Sequence, residues 1–526
     1  MAPTYVLGPF RLDAKAEILF RGAEPVALGQ RAVALLRVLL ERPGTPVSKD
    51  VLMEAAWAGL TVEESNLAVQ ISALRRVYGQ EPGGEGWIET LPRRGYRFVG
   101  PASVEDEGTI VAATLISNLP TADGGPSLTL PNRPSIAVLP LQNMSGDPEQ
   151  EYFADGISED VITDLSKISG LFVIARNSSF AFRGKSIKVQ DIARDLGVAY
   201  VVEGSVRKAG NRVRITAQLI DGSSGGHVWA ERYDRDLTDI FDVQDEVTGE
   251  ILAALKVHLT PDERRRVESR VTSSLEAHDR FLRGRQLFWQ TSREAIAQAQ
   301  TLFEEAIRLD PDFCLAHAYL AFTHTQQAIN RWSANPEGSL ERAKELVERA
   351  LTLDPTKAEA YYVRGIVHLW QQKDVDQAIA DAERAIALDP NFARGYGLLG
   401  AALHYAGRSE EALERLATMA RLDPHHPPLY QHFVAQALFA LGRFEDAVRA
   451  LKARLARQPD SDVSRVLLAA CYGYLGRAED ARAEWQEALR VNPGYSIEHR
   501  RQILPYRNPA DFERVVLGLQ KAGLPV

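Results

Sequence analysis

The chain has 526 residues, of which 45% are hydrophobic and 25% are charged, and its formal net charge is −9. This length is too great for one hydrophobic core, so three or more domains are expected, and the composition is that of a globular protein. The net charge excludes a wholly basic nucleic-acid coat, but not a small DNA-binding domain, because charges act over about 8 Å in physiological salt. Two distant cysteines in apolar helical contexts predict buried thiols rather than a disulfide or a zinc site.

The sequence contains no predicted membrane segment. Its N-terminus lacks the basic stretch and the apolar run of a signal peptide. The only candidate span in the linker, residues 110–119, is interrupted by polar side chains, whereas a spanning helix needs about 20 apolar residues. We therefore expect no membrane contact, a cytoplasmic location, and an input that arrives through the C-terminal regions of the chain.

Changes in composition divide the chain into five segments. Residues 1–102 mix strand and helix patterns, and residues 103–134, with four prolines and a Gly-Gly pair, are typical of a flexible linker. Strands and helices alternate over residues 135–262. Residues 276–493 are helical and repetitive, and residues 494–526 are expected to cap them. The predicted fold class is multidomain, with α+β and all-α parts.

Short apolar runs in the first 28 residues, separated by Gly and Pro, predict a small antiparallel sheet. The phrase QRAVALLRVLLERPG follows and predicts a helix with Val33, Leu36 and Leu39 on one face. Ser48 is a suitable N-cap for a second helix, KDVLMEAAW. A third helix is expected over residues 62–78.

The third helix has two different faces. Its apolar face is predicted to pack on the other helices and carries Leu67, Ile71, Leu74 and Tyr78. The opposite face and its flanks carry Ser65, Asn66, Val69, Gln70, Ser72, Ala73, Arg75 and Arg76. Short polar side chains and arginines suit the major groove of DNA, although an ordinary solvated helix has the same pattern.

A basic hairpin follows this helix. Two predicted strands, residues 87–91 and 96–99, flank the turn Pro92-Arg93-Arg94-Gly95, and such a tip beside a polar helix is typical of the wing of a winged helix. Residues 1–102 hold 12 basic and 11 acidic side chains. Five of the arginines fall in the predicted contact surface: Arg75, Arg76, Arg93, Arg94 and Arg97.

The phrases VEESNLAVQISALRRVYG and IETLPRRGYRF resemble the winged-helix output domain of the OmpR/PhoB response-regulator family. The resemblance implies that Ser65, Val69 and Ala73 face bases. It also implies that Arg75 and Thr90 hold phosphates. Ser65 and Ala73 stand where arginine is frequent in that family, which predicts weaker or different base readout.

In the same family, a wing residue near Arg93 or Arg94 enters the minor groove. The helix, the hairpin and the resemblance together predict one DNA-binding set: Ser65, Asn66, Val69, Gln70, Ala73, Arg75, Arg76, Thr90, Arg93 and Arg94. The resemblance implies double-stranded DNA as the ligand and a homodimer on direct repeats. Members usually place the receiver domain of a phosphorelay before this unit. A leading winged helix is instead the CadC-like layout, here without the membrane span.

The C-terminal region repeats with a constant period. Prolines that close similar phrases, such as RLDP and ALDP, are separated by 44, 35, 34, 35 and 34 residues. This period resembles the tetratricopeptide family over about six repeats, and it implies an α-solenoid whose concave face binds a protein or peptide partner. Within it, residues 395–400 match G-x-G-x-x-G but are expected inside a helix, where they cannot form a dinucleotide site.

The middle segment shows the order β-α-β-α-β-β-β-α, which predicts an α/β fold with a partly antiparallel sheet. Phrases such as IAVLPLQNMSGDPEQEYFADGISEDVITDLSKI and VVEGSVRKAGNRVRITAQLIDG resemble a TolB-like N-terminal domain. That resemblance leaves oligomerisation and ligand sensing open as its role.

No catalytic, cofactor or metal site is predicted. A group of acids after residue 150 is assigned to the first turn of a helix, where carboxylates complement the helix dipole: Asp155, Glu159, Asp160 and Asp164. Ser178, Ser179 and Arg183 could hold an anion, but no Gly-rich phosphate loop accompanies them. The protein is therefore not expected to be an enzyme.

The sequence thus predicts a DNA-binding transcription regulator whose C-terminal regions act as input, oligomerisation or partner-binding modules. Two alternatives remain at this point. One is a scaffold whose winged helix makes protein contacts, and the other is a ligand-binding or catalytic middle domain.

Overall fold

The computed structural model describes residues 4–13, 18–21, 24–26, 28–57, 64–79, 86–92, 94–101, 103–105, 128, 130–269, 272–330 and 332–525. The chain divides into two compact units, Met1–Ala113 and Thr114–Val526. Each unit is described below by itself. Among the described residues, no helix combines the length and apolar character needed to cross a membrane.

The N-terminal unit contains an antiparallel sheet in the order β4-β3-β2-β1-β7, three helices and a two-stranded hairpin. The strands are β1 (Thr4–Leu7), β2 (Phe10–Asp13), β3 (Ile18–Arg21), β4 (Glu24–Pro25), β5 (Ile88–Leu91), β6 (Gly95–Phe98) and β7 (Ser103–Glu105). The helices are α1 (Gln30–Leu40), α2 (Lys49–Trp57) and α3 (Glu64–Tyr78). The predicted linker start at residue 103 is wrong, because β7 pairs with β1 and completes the sheet.

The predicted helix faces form the core of this unit. Leu36 and Leu39 of α1 are fully buried, as expected from their spacing. At the end of α3, the Tyr78 ring lies 5.2 Å from the rings of both Phe10 and Trp87, measured between centroids. Burial raises the pKa of Tyr78 well above its usual value. This aromatic cluster joins the third helix to the sheet and to the hairpin.

The middle domain, the first part of the second unit, is built on a mixed sheet in the order β10-β8-β11-β12-β13, with β9 beside β11. Its strands are β8 (Ser135–Val138), β9 (Gln142–Asn143), β10 (Phe172–Val173), β11 (Tyr200–Ala209), β12 (Arg212–Asp221) and β13 (His227–Asp236). Its helices are α4 (Glu151–Ser166), α5 (Arg176–Phe180), α6 (Val189–Leu196), α7 (Ile240–Ala254) and α8 (Pro261–Val267). The predicted alternation and the antiparallel part of the sheet are both present, since β11, β12 and β13 pair antiparallel.

Six helix pairs follow over the described residues, in agreement with the 34-residue period. They are α9 (Leu275–Phe288) with α10 (Arg293–Leu309), α11 (Cys314–Ile329) with α12 (Pro336–Leu353), α13 (Ala358–Val367) with α14 (Val375–Leu388), α15 (Ala393–Tyr405) with α16 (Ser409–Leu422), α17 (Leu429–Ala440) with α18 (Phe444–Arg457), and α19 (Asp462–Tyr474) with α20 (Ala478–Val491). Two further helices, α21 (Ile497–Ile503) and α22 (Ala510–Lys521), follow them. We call the surface formed by the first helix of each pair the inner surface. Both cysteines are free and buried, as predicted.

The glycine motif of the repeats has a packing role. It lies in α15, inside a helix as predicted. A Cβ atom at Gly397 would come within 2.1 Å of the Tyr430 ring, and one at Gly400 within 2.6 Å of Leu416. These glycines allow neighbouring helices to approach closely.

The middle domain packs on the repeats through buried polar groups. Asn391, in the loop before α15, donates from Nδ2 to the carbonyl oxygens of Ser166 and Leu171 at 2.9 and 3.0 Å. Its Oδ1 accepts from the backbone N–H of Val173 at 3.2 Å. In the next loop, Asp423 accepts hydrogen bonds from the middle domain as well, at 2.5 Å from Ser178 Oγ. The loops that close the repeats thus hold the middle domain in place.

Acids of α4 also lie at this interface. Their predicted position in the first turn of the helix is wrong. The helix begins at Glu151, so they lie from its second turn to its last turn, beyond the first turn where the helix dipole would explain them. Arginine and lysine side chains neutralise them instead: Asp155 with Arg183, Glu159 with Arg176 and Arg285, Asp160 with Arg285, and Asp164 with Lys167. Arg285 belongs to the first repeat, so two of these pairs join the middle domain to the repeats.

Asp389 makes this interface sensitive to pH. Its carboxylate is buried and accepts from Ser166 Oγ at 2.6 Å and from the Asn391 N–H at 3.0 Å. Burial raises the pKa of Asp389 from 3.8 to about 7. The folded chain therefore holds this proton more tightly than the unfolded chain, and the resulting stability is lost as the pH rises from about 4 to about 7.

We expect Asp389→Asn to remove this pH dependence, because an amide resembles the protonated acid at every pH. Relative to the wild type, the free energy of unfolding of the variant should rise by about 1–2 kcal/mol between pH 5 and pH 8. Urea unfolding at the two pH values measures this difference. An unchanged difference between the two proteins would contradict the assignment.

Candidate nucleic-acid interface

The position of helix α3 is fixed by its apolar face. Leu67 and Ile71 are 1% exposed, and Leu74 and Tyr78 are fully buried, as the 3.6-residue spacing predicts. The opposite face is therefore turned to solvent. This arrangement determines which of the predicted contact residues can reach a ligand.

The exposed face of α3 presents a short, mixed surface. Ser65, Asn66, Val69 and Arg76 are exposed, and 61% of the Val69 surface is accessible, a large fraction for an apolar side chain. Gln70 and Ala73 are half-buried at the edges of this face. The exposed side chains of the predicted contact set on α3 are thus one cation, two small polar groups and one aliphatic group. An aliphatic side chain at such a position suits the methyl group of thymine.

Arg75 has a structural partner within the domain. Its Nε and one Nη atom donate to the Ile88 carbonyl oxygen at 3.0 and 2.6 Å, and the same Nη atom lies 2.8 Å from Thr90 Oγ1. The two residues that the resemblance assigns to phosphate contacts are therefore bonded to each other. Arg75 ties α3 to the first strand of the hairpin, and its phosphate contact stays a prediction.

The hairpin is anchored beside the second helix. Val47 and Tyr96 exchange backbone hydrogen bonds of 2.8 and 2.9 Å. Gly95 has a φ of +99°, and a Cβ atom there would lie 1.9 Å from the Val47 carbonyl oxygen. Glycine is required at this position by both the backbone conformation and the close approach. Sequence patterns identify Gly95 as a turn residue, but they do not reveal this contact with Val47.

The arginines of the hairpin differ in their availability. Arg94 is exposed at the turn, where its N–H bonds to the Leu91 carbonyl oxygen at 3.0 Å. Arg97 points to the other side chains of the hairpin and pairs with Glu89, with an N–O distance of 2.6 Å. Arg93 lies outside the described residues. Within the described residues, Arg76 and Arg94 are therefore the two predicted contact arginines that are exposed and have no ion pair.

Comparisons with known proteins agree with this geometry. A family profile described as "Transcriptional regulatory protein, C terminal" matches residues 23–98, and tetratricopeptide repeat profiles match residues 337–391, 369–437 and 435–496. The chain thus carries an OmpR/PhoB-type domain at its N-terminus and tetratricopeptide repeats, as predicted. These findings support a transcription regulator with protein-interaction modules.

Two curated relatives match over most of the chain. Putative adenylate cyclase 3 of Rhizobium meliloti (strain 1021) is 48% identical over 407 residues, which cover 77% of this chain and 69% of that protein. The transcriptional regulator HilA of Salmonella paratyphi A is 23% identical over 429 residues, which cover 80% of this chain and 70% of that protein. Among solved structures, that of Pseudomonas aeruginosa pilF aligns with a TM-score of 0.32 and 20% identity, over 43% of this chain and 98% of that one.

The two neighbouring arginines of α3 should behave differently when replaced. Arg75→Ala leaves the Ile88 carbonyl and Thr90 without their donor, so we expect the N-terminal unit to lose about 1–2 kcal/mol of unfolding free energy. Arg76→Ala removes an exposed side chain and should change stability by less than about 0.5 kcal/mol. Chemical denaturation of both variants checks this. Equal stability of the two variants would show that the Arg75 contacts do not hold the hairpin.

Proposed function

The chain belongs to the same family as Putative adenylate cyclase 3 of Rhizobium meliloti, and we propose that its own output is sequence-specific binding of double-stranded DNA for transcription regulation. The observation that carries the proposal is the solvent-exposed face of α3 beside the Arg94 turn. We place the protein in the cytoplasm, where its DNA ligand is found.

Each part of this surface has a proposed role. Ser65, Asn66 and Val69 contact base edges in the major groove, and Arg76 contacts the phosphate backbone. Arg94 enters the adjacent minor groove, where narrow A·T-rich segments attract arginine. Gln70 and Ala73 contribute at the edges of the same face. Because this set contains few cations, most discrimination between sequences must come from short side chains and from DNA shape.

The region shared with the cyclase relative is proposed to be an input module. The match covers 77% of this chain. A continuous match of that length must include residues 122–405, whether it starts at residue 1 or ends at residue 526. These residues contain the middle domain and the first repeats. About 31% of the relative lies outside the match. We infer that the two proteins share a TolB-like domain with its repeats and attach it to different outputs. We propose that the repeats also bind a protein or peptide partner, on the surface that α21 and α22 leave uncovered where they pack on α15, α17 and α19.

A gel-shift titration against the DNA upstream of its own gene tests DNA binding. We expect the wild type to bind with an affinity that falls steeply with salt. Arg76→Ala and Arg94→Ala should each weaken binding by about 1–3 kcal/mol and lower the salt dependence by about one phosphate contact. Arg42→Ala is the matched control, because Arg42 is exposed in the turn after α1, outside the proposed contact surface.

The outcomes separate the two leading explanations. Loss of binding in the Arg76 and Arg94 variants, with the Arg42 variant unchanged, supports DNA recognition by this surface. Equal affinity in all four proteins would contradict it. It would favour the alternative in which the winged helix makes protein contacts within a tetratricopeptide scaffold.

We further propose that the protein dimerises through the free edge of β13, the last strand of the middle sheet. Glu231 and Arg232 lie at the centre of this ten-residue strand, are exposed, and have no ion-pair partner among the described residues. If two copies pair antiparallel about Tyr233, Glu231 of each copy lies opposite the partner's Arg235, and Arg232 lies opposite the partner's Asp234. Opposite charges in facing positions stabilise a strand pair, and an uncovered edge favours such pairing.

A charge exchange tests this dimer. Glu231→Arg or Arg232→Glu alone should convert the dimer into a monomer, because like charges then face each other across the two strands. The double variant Glu231→Arg/Arg235→Glu, in which opposite charges face each other again, should dimerise again. Sedimentation velocity of the three variants and the wild type measures the result. A monomeric wild type, or single variants that remain dimeric, would contradict the proposal.

A second candidate function is adenylate cyclase activity, which only the name of the Rhizobium meliloti relative favours. Purified chain incubated with ATP and Mg²⁺ or Mn²⁺ and assayed for cyclic AMP distinguishes the two candidates. Product formation in proportion to the amount of chain would establish an enzyme, independently of the gel-shift result.

A further inference from the structure

A polar cavity of about 80 Å³ lies where the middle domain meets the inner surface of the repeats. Helices α4 and α5 form one wall, and the first helices of four repeats form the other. A second cavity of about 60 Å³ lies beside it, and the two share Thr163, Arg285, Tyr319 and Glu359 as lining residues. The space suffices for a few water molecules or for a small organic ligand.

Arg394 differs from the other two arginines of this cavity in its contacts. Its guanidinium lies among four aromatic rings, at 4.9 Å from Trp289, 5.5 Å from Phe322, 5.5 Å from Tyr362 and 5.2 Å from Phe392. Among the described residues, no carboxylate oxygen lies within 4 Å of it. The two other cavity arginines, Arg176 and Arg285, both pair with Glu159. Arg394 is thus held in position by cation–π contacts and a hydrogen bond to Tyr319, and no carboxylate of the described residues pairs with its charge.

Glu359 is the matching anion. It is the second residue of α13, as Arg394 is of α15, so the two occupy equivalent positions on adjacent repeats. In the described part of the chain, no cationic nitrogen lies within 4 Å of its carboxylate. The other cavity carboxylates have partners, since Asp389 bonds to Ser166 and Asp423 bonds to Ser178. Among the described residues that line the cavity, Arg394 is therefore the arginine without a carboxylate partner, and Glu359 is the carboxylate without a hydrogen-bond donor.

Trp289 is the third side chain of the cavity with a polar group that lacks a partner. Its indole Nε1–H is buried and has no hydrogen-bond acceptor in the part of the chain that the structure describes. The same ring contacts Arg394 on one side of the interface and Arg176 of the middle domain, whose guanidinium lies 4.7 Å from the ring centroid. Buried donors and charges without partners are costly, and a ligand that supplies the partners removes this cost.

We propose that this cavity binds a small zwitterion, an α-amino acid with a short side chain. The carboxylate of the ligand accepts from Arg394 and from the Trp289 indole N–H, and its ammonium group donates to Glu359. Because both the middle domain and the repeats line the cavity, the bound ligand strengthens their association. The proposal does not depend on DNA binding, and it gives the input module a ligand of defined chemistry.

Isothermal titration calorimetry of the full chain with glycine, L-alanine and L-serine tests the proposal. We expect at least one of them to bind with a Kd below about 1 mM. Acetate and methylammonium, which carry only one of the two charges, should bind at least tenfold more weakly. Arg394→Gln and Glu359→Gln should each reduce amino-acid affinity at least tenfold. Arg384→Gln and Glu383→Gln, exposed neighbours on α14, should leave it unchanged.

Trp289→Phe keeps an aromatic ring for both arginines and removes only the N–H donor, so it should bind several-fold more weakly while it remains folded. Circular dichroism of every variant confirms folding. Three results would overturn the proposal: no heat of binding with any of the three amino acids, acetate binding as tightly as the amino acids, or unchanged affinity in folded Arg394, Glu359 and Trp289 variants. None of these results bears on the gel-shift experiment.

Discussion

The second unit depends on one constraint, the satisfaction of buried polar groups in the loops that close the repeats. Asn391 uses both polar atoms of its side chain on the middle domain, and Asp423 receives hydrogen bonds from the same domain. Without the middle domain these groups would be buried by neighbouring helices and left without partners, or would need water. The solenoid and the middle domain are therefore parts of one folded unit rather than separate modules joined by a linker.

The same constraint determines which partners the inner surface of the repeats can contact. From the period alone this surface is expected to receive a partner protein. In the structure, its first four repeats contact the chain's own middle domain, and Arg285 neutralises carboxylates that belong to α4. The first helices of the last three repeats contact the chain's own C-terminal segment, since Arg507 donates to the Tyr405 carbonyl oxygen and Arg514 to the Ala440 carbonyl oxygen. A partner protein is consequently expected on the part of the repeats that neither segment covers, while the cavity next to Arg394 has room only for a small molecule.

The DNA-binding unit is held together mainly by apolar packing rather than by buried polar groups. Its core is aromatic and aliphatic, and Tyr78, Trp87 and Gly95 hold the hairpin beside the recognition helix. The exposed cations that remain are few, which agrees with the acidic character of the whole chain. A dimer through β13 would compensate for weak single contacts, because two linked DNA-binding units have a higher overall affinity than one.

The sequence by itself determined what depends on local periodicity: the buried face of α3, the six helix pairs, the hairpin and the helical position of the glycine motif. It also determined the type of each predicted contact residue. Only the tertiary structure decided how those residues are used. Arg75 bonds to Ile88 and Thr90, Arg97 pairs with Glu89, and the acids of α4 neutralise arginines instead of a helix dipole. The physical reason is that hydrophobic spacing is repeated along the chain and can be read locally, whereas the partner of a charged or polar side chain is chosen by residues that are distant in sequence and become neighbours only on folding.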